Sequence, residues 1–105
     1  MQTRSFCYVD DNIEGLVRLM RSGFEFPLNI GDPTEITILD LAKLVIEMTE
    51  SNSQIIFKPL PVDDPKRRCP DISLAKSVID WEPKTRLVDG ITETIRWFEE
   101  IKNKL

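Results

Sequence analysis

Ile13, Leu16, Val17 and Met20 recur at the three- and four-residue spacing of an amphipathic helix, which the pattern carries to about Arg21 before Gly23 stops it. Asp10-Asp11 stands just ahead of them, where a carboxylate accepts the free amides of a first turn. Upstream, Phe6, Tyr8 and Val9 alternate loosely with polar residues and predict a short strand over Ser5 to Val9. Pro27 to Ile30 reads as a second extended segment, closed by the turn Gly31-Asp32-Pro33. Thr37 then caps a helix over Ile38 to Met48 whose apolar residues lie on more than one face, so it is expected to be buried on two sides. A third strand is expected over Gln54 to Lys58, around Ile55, Ile56 and Phe57. Asp71 or Ser73 caps a short helix carrying Leu74, Ala75, Val78 and Ile79, and Trp81-Glu82-Pro83 closes it. The last helix starts near Leu87 to Gly90 and runs towards Asn103, with Ile91, Ile95, Phe98, Ile101 and Leu105 on one stripe that Trp97 widens. Strand, helix, strand, helix, strand, loop, helix, helix is an α/β order with about four helices and too few short strands for a complete doubly wound sheet.

The loop from Pro59 to Ile72 interrupts this regular pattern. It holds Pro59, Pro61, Pro65 and Pro70, each without an amide donor and with φ fixed, so neither a helix nor a central strand forms there. Inside this stiff loop sits the dense cationic cluster Lys66, Arg67 and Arg68. A guanidinium on a backbone with few alternatives loses less entropy on meeting a phosphate or carboxylate, which makes the loop a candidate anion clamp. The same charges equally describe a solvated loop.

Charge and composition narrow the class. With 105 residues, 41% hydrophobic and 30% charged, the chain is one small domain or a piece of a larger one. Its net charge of -4 argues against nucleic acid as a partner. The most apolar run, Ile38 to Met48, contains Asp40, Lys43 and Glu47 and is too short to span a membrane; no apolar leader precedes it, and a cytoplasmic protein is expected. Cys7 and Cys69 lack metal-ligand spacing and the chain has no histidine, so a metal site is not expected and both thiols are read as reduced.

The chemistry-bearing motifs are as informative by absence. Gly15, Gly23, Gly31 and Gly90 are isolated, which leaves no glycine-rich cradle for a nucleotide cofactor. Tyr8 is followed four positions on by Asn12, so no Tyr-x-x-x-Lys pair exists. The pairs Asp10-Asp11 and Asp63-Asp64 have the composition for acid/base work, but a helix start and a turn before proline explain them better. No catalytic residue is assigned.

Gln2-Thr3-Arg4-Ser5-Phe6-Cys7-Tyr8-Val9-Asp10-Asp11, Leu28-Asn29-Ile30-Gly31, Asp63 to Ile72 and Trp81-Glu82-Pro83 together resemble the C-terminal part of the extended short-chain dehydrogenases/reductases. Within that family the likeness is greatest to UDP-glucuronate decarboxylases, with nucleotide-sugar epimerases and 4,6-dehydratases as alternatives. The resemblance implies that residues 1–105 are a single substrate-binding lobe of an enzyme that uses NAD, whose N-terminal Rossmann lobe and catalytic Tyr and Lys lie outside this sequence. It implies that Arg4 and Arg68 reach the diphosphate of a UDP-sugar and that Gln2 borders the nucleotide, while Lys66 and Arg67 are expected to face solvent or the field around the site. Ser77 and the run from Asp80 to Trp81 are expected to serve packing and capping. NAD is not expected to bind this chain alone, and the chain alone is expected to be inactive. Met1 directly before Gln2 leads to the expectation of a truncated product or an expressed fragment. A different reading keeps the fold as a non-catalytic module that associates with itself or a partner through exposed apolar surface.

Overall fold

The computed structural model describes residues 2–104. Its elements, in order, are β1 (Thr3–Ser5), α1 (Val9–Ser22), β2 (Glu35–Thr37), α2 (Ile38–Thr49), α3 (Ser73–Ile79) and α4 (Leu87–Lys104). The α/β class and the four helices are as the sequence implies, and the sheet is a two-stranded antiparallel ribbon. Leu105, assigned to the last apolar stripe, lies outside the described residues.

The strands fall elsewhere than expected. β1 is Thr3–Ser5 and not Ser5 to Val9, because its register is set by β2, with Thr3 opposite Thr37, Arg4 opposite Ile36 and Ser5 opposite Glu35. The helix has already begun by Val9, where the Asn12 amide donates to the Tyr8 carbonyl. Pro27 to Ile30 and Gln54 to Lys58 form no strand, since no neighbouring strand among the described residues supplies the ladder that extended backbone needs.

Helix ends follow the sequence more closely. Thr37 Oγ1 accepts from the Asp40 amide and caps α2. Gly23 ends α1 with φ of 73°, a left-handed conformation that glycine adopts without steric cost. α3 departs from its expected cap, since Ile72 and neither Asp71 nor Ser73 holds the position ahead of it and no side chain caps it; Asp71 Oδ1 accepts from both the amide and the hydroxyl of Ser73, which draws its carboxyl below the ordinary range. Asp80 closes the same helix at φ of 50°, and the Ser77 hydroxyl donates to the Leu74 carbonyl.

The core is small. Ile72, Ala75, Ile79 and Trp81 are buried, with Cys7, Leu19, Leu28 and Ile30 packed against them. α1 reaches this core at Gly15, where a Cβ would stand 2.9 Å from Ile30 and 3.1 Å from Trp81. Its buried positions are Asp11 and Gly15, and the apolar stripe read from the sequence points outward, with Ile13, Leu16, Val17 and Met20 exposed, as is Val9. α2 was expected to be covered on two sides, yet none of its residues is buried: it touches β2 and α4, and Ile38 and Val45 remain exposed. Trp97 and Phe98 on α4 meet edge to face, with centroids 4.9 Å apart, and are exposed as well.

Candidate anion-binding site

Side chains in an extended chain alternate between faces, so Gln2 and Arg4 share one side of the β1 segment and Thr3 takes the other. The ladder runs past the end of β1, because the Ile38 amide donates to the Gln2 carbonyl at 3.0 Å. The proline-rich loop then lies along the ribbon, held by the Thr3 amide donating to the Lys66 carbonyl at 2.8 Å.

Each side of β1 is tied to that loop by a carboxylate. On one side Asp64 receives Gln2 Nε2 on Oδ2 at 3.0 Å and Arg4 Nη2 on Oδ1 at 2.9 Å. Arg4 Nη1 donates to the Thr3 carbonyl at 2.7 Å. On the other side Glu35 accepts two bonds from Arg67, from Nε at 2.6 Å and Nη2 at 2.7 Å, and one from the Thr3 hydroxyl at 3.1 Å. These bonds, Arg67 foremost, hold the Glu35 carboxyl below the ordinary carboxylate range against partial loss of water, and Glu35 in turn raises the Arg67 guanidinium.

Of the expected ligands, Gln2 and Arg4 are thus brought together on one carboxylate. Arg68 is exposed and makes no side-chain hydrogen bond or ion pair with the described residues. Arg67 is exposed, as expected, but its fork is not free: it matches a carboxylate bidentately and is spent on Glu35. Lys66 is exposed, as expected. Asp63 and Asp64 do form a turn, with Asp63 at φ of 73° and the Asp64 amide donating to the Pro61 carbonyl. Sequence reasoning stopped at that turn and missed Asp64 and Glu35 as the partners of the cationic side chains. The available signal was charge balance: three cations in one loop beside Asp63-Asp64 call for carboxylates somewhere nearby.

Asp10-Asp11 also departs from its expected role. The residue ahead of α1 is Tyr8, without a side-chain cap, and Asp11 Oδ2 instead accepts the amides of Lys84 and Thr85 while its carbonyl takes the Trp81 indole N–H at 2.9 Å. Cys7 and Cys69 are free, and burial pushes the Cys7 thiol up, with Asp11 and Asp32 adding to it. No group of three or more His, Cys, Asp or Glu among the described residues is placed to hold a metal ion. No helix of the described residues is long and apolar enough to cross a membrane.

No family model matches the chain. Among curated proteins it is 47% identical over 97 residues to UDP-glucuronic acid decarboxylase 1 of Danio rerio, covering 92% of this chain and 23% of the relative. UDP-glucuronic acid decarboxylase 6 of Arabidopsis thaliana is 49% identical over 90 residues, 86% of this chain and 26% of that protein. Solved structures agree. UDP-glucose 4-epimerase of Thermotoga maritima, determined with UDP-glucose, superposes with a TM-score of 0.88 at 30% identity, over 95% of this chain and 32% of that one. The chain belongs to the extended short-chain dehydrogenases/reductases and matches their C-terminal part. UDP-glucuronic acid 4-epimerase of Bacillus cereus, a family member determined with UDP-glucuronic acid and NAD, gives a TM-score of 0.81 at 27% identity over 95% of this chain and 33% of that one. The chain spans about a quarter of the length of these curated family members, 23% and 26%.

Proposed function

We propose that residues 1–105 are the UDP-sugar-binding lobe of a UDP-glucuronate decarboxylase-type enzyme, the complete form of which converts UDP-glucuronate to UDP-xylose. The observation that carries this reading is the pairing of Gln2 and Arg4 on one side of β1, in a chain 47% identical to a UDP-glucuronic acid decarboxylase. A guanidinium has five N–H donors, and Arg4 spends two of them, on Asp64 and Thr3. The other three stand open for the oxygens of a diphosphate. Arg68 supplies a second charge from the loop docked beside β1, and the opposite course of neighbouring side chains along an extended chain favours its standing on the side that Arg67 does not take.

NAD supplies hydride acceptance and return at C4 in such an enzyme, and the residues here do not fit it. The chain has no glycine-rich turn at a helix start to take its diphosphate, so NAD belongs to the portion that this chain does not contain. The chain alone is therefore inactive, and carbon dioxide release from UDP-glucuronate by the pure chain would refute that. Two free thiols suit a cytoplasmic location. An epimerase or a 4,6-dehydratase would use the same lobe; the decarboxylase is preferred because its identity to this chain, 47%, exceeds the 30% of the UDP-glucose 4-epimerase. The exposed apolar stripe of α1 favours, as a second reading, a binding module without catalysis.

Titration with UDP, followed by calorimetry or by NMR shifts at millimolar ligand, tests the site. Arg68→Ala should weaken binding about tenfold or more, as loss of a charge-assisted bond of about 1.5–3 kcal/mol implies. Lys66→Ala should change it less than about threefold, the scale of a screened surface charge. Equal effects would reduce the loop to a general positive field.

A further inference from the structure

We propose that Asp64 is the positioning residue of this site, fixing the Arg4 guanidinium and the Gln2 amide so that their remaining donors meet the diphosphate; the proposal rests on the UDP-sugar reading above. Three observations support it. The carboxylate is shared: Oδ1 takes Arg4 at 2.9 Å and Oδ2 takes Gln2 at 3.0 Å, so one group orients both side chains at once. Together with the Thr3 carbonyl, it grips both terminal nitrogens of Arg4, which fixes the plane of the fork and leaves Nε with its N–H uncommitted. Asp64 is itself held, by the turn bond from its amide to the Pro61 carbonyl, by Asp63 at φ of 73° and by Pro65 after it. The loop is anchored two residues further on by the bond from Thr3 to Lys66.

The energetics agree in sign. The side chains of Arg4 and Asp64 are 20% and 37% exposed, so the ion pair adds little net stability to the fold. Its consequence is geometric: a long side chain that would otherwise sample many rotamers is ordered before the ligand arrives, and that ordering no longer opposes binding. Asp63, adjacent and equally charged, makes no hydrogen bond to Arg4 or Gln2 and serves as the control for charge alone.

The test is a double-mutant cycle with UDP as ligand, read by NMR titration. Asp64→Ala should weaken UDP binding about fivefold, and the same change in an Arg4→Ala background should alter it less than about twofold. Asp63→Asn should leave binding unchanged within about twofold. In the absence of ligand, the Arg4 Nε–H resonance should be dispersed in the wild type and collapse towards the random-coil position in Asp64→Ala, with backbone amide shifts away from the loop retained. If Asp64→Ala perturbs the fold, Asp64→Asn, which keeps size and one acceptor, replaces it and should show an intermediate loss. Tighter UDP binding by Asp64→Ala would mean that the carboxylate competes with the diphosphate and would overturn the proposal. So would an equal loss with and without Arg4, which marks a structural defect. UDP binding that is absent from the wild type, or indifferent to Arg4→Ala, defeats the UDP-sugar reading itself and is distinguishable from both.

Discussion

Glu35 and Asp64 show how single residues decide what a cationic loop becomes. Glu35 takes the bidentate fork of Arg67, so that residue works as a staple between loop and ribbon. Because the bonded Glu35 carboxyl titrates below its unfolded value, its contribution to stability is fully present above the unfolded pKa of about 4.3 and is lost as pH falls through the lower folded value. The difference in denaturation midpoint between wild type and Glu35→Gln should therefore stay constant from about pH 7 to about pH 5 and shrink below about pH 4. A difference unchanged down to about pH 2 would show the side chain acting as a neutral acceptor only. Arg67→Ala should reproduce the Glu35→Gln behaviour, since the two share one bond pair.

At the scale of elements, α1 carries the clearest departure from simple patterning. Its fully buried positions are Asp11 and Gly15, with Leu19 as the large apolar residue it packs on the core, and Asp11 is 5% exposed while accepting the Lys84 and Thr85 amides. Asp11→Ala would strand both amides and should cost about 2–3 kcal/mol in urea denaturation, with Asp11→Asn, which keeps one acceptor oxygen, losing less. Equal, small losses from the two would show that water replaces the carboxylate. The existence of α1, the Gly23 stop and the Thr37 cap were legible because each depends on residues within one turn of one another. The direction in which α1 faces was not, because its period is the same whether the stripe meets this core or a surface beyond the chain. β2 escaped notice for a related reason. Glu35-Ile36-Thr37 has three residues and no periodicity, and only pairing with β1, more than thirty positions away, makes it a strand. The gathering of Gln2 and Arg4 on one carboxylate was not legible, since no local rule links positions 4 and 64.

The molecule as a whole exposes more than a chain of its size should. Its radius of gyration is 16.4 Å where about 13 Å is usual for this length, and its extents are 48 × 38 × 22 Å. Its accessible surface is 8277 Å², where a folded monomer of 12.2 kDa has about 6,100 Å². An excess of about 2,000 Å² is on the scale that one partner contributes to an obligate interface. The apolar part of it lies along the outward stripe of α1, where Val9, Ile13, Leu16 and Met20 are 57%, 52%, 49% and 83% exposed, and passes into the groove between α1 and α4 at Phe6, Trp97 and Phe98. The chain spans about a quarter of its curated relatives, 23% and 26%. For the chain alone in solution, a second copy is the apolar surface at hand. Sedimentation should then show concentration-dependent dimers or larger species for the wild type. The pair Ile13→Glu and Met20→Glu should move the distribution to monomer with helical circular dichroism unchanged, because neither side chain touches the Trp81 core. A monomer at high concentration in the wild type would mean that the exposed stripe is tolerated in water, and the excess area would then reflect an open fold and not a missing partner.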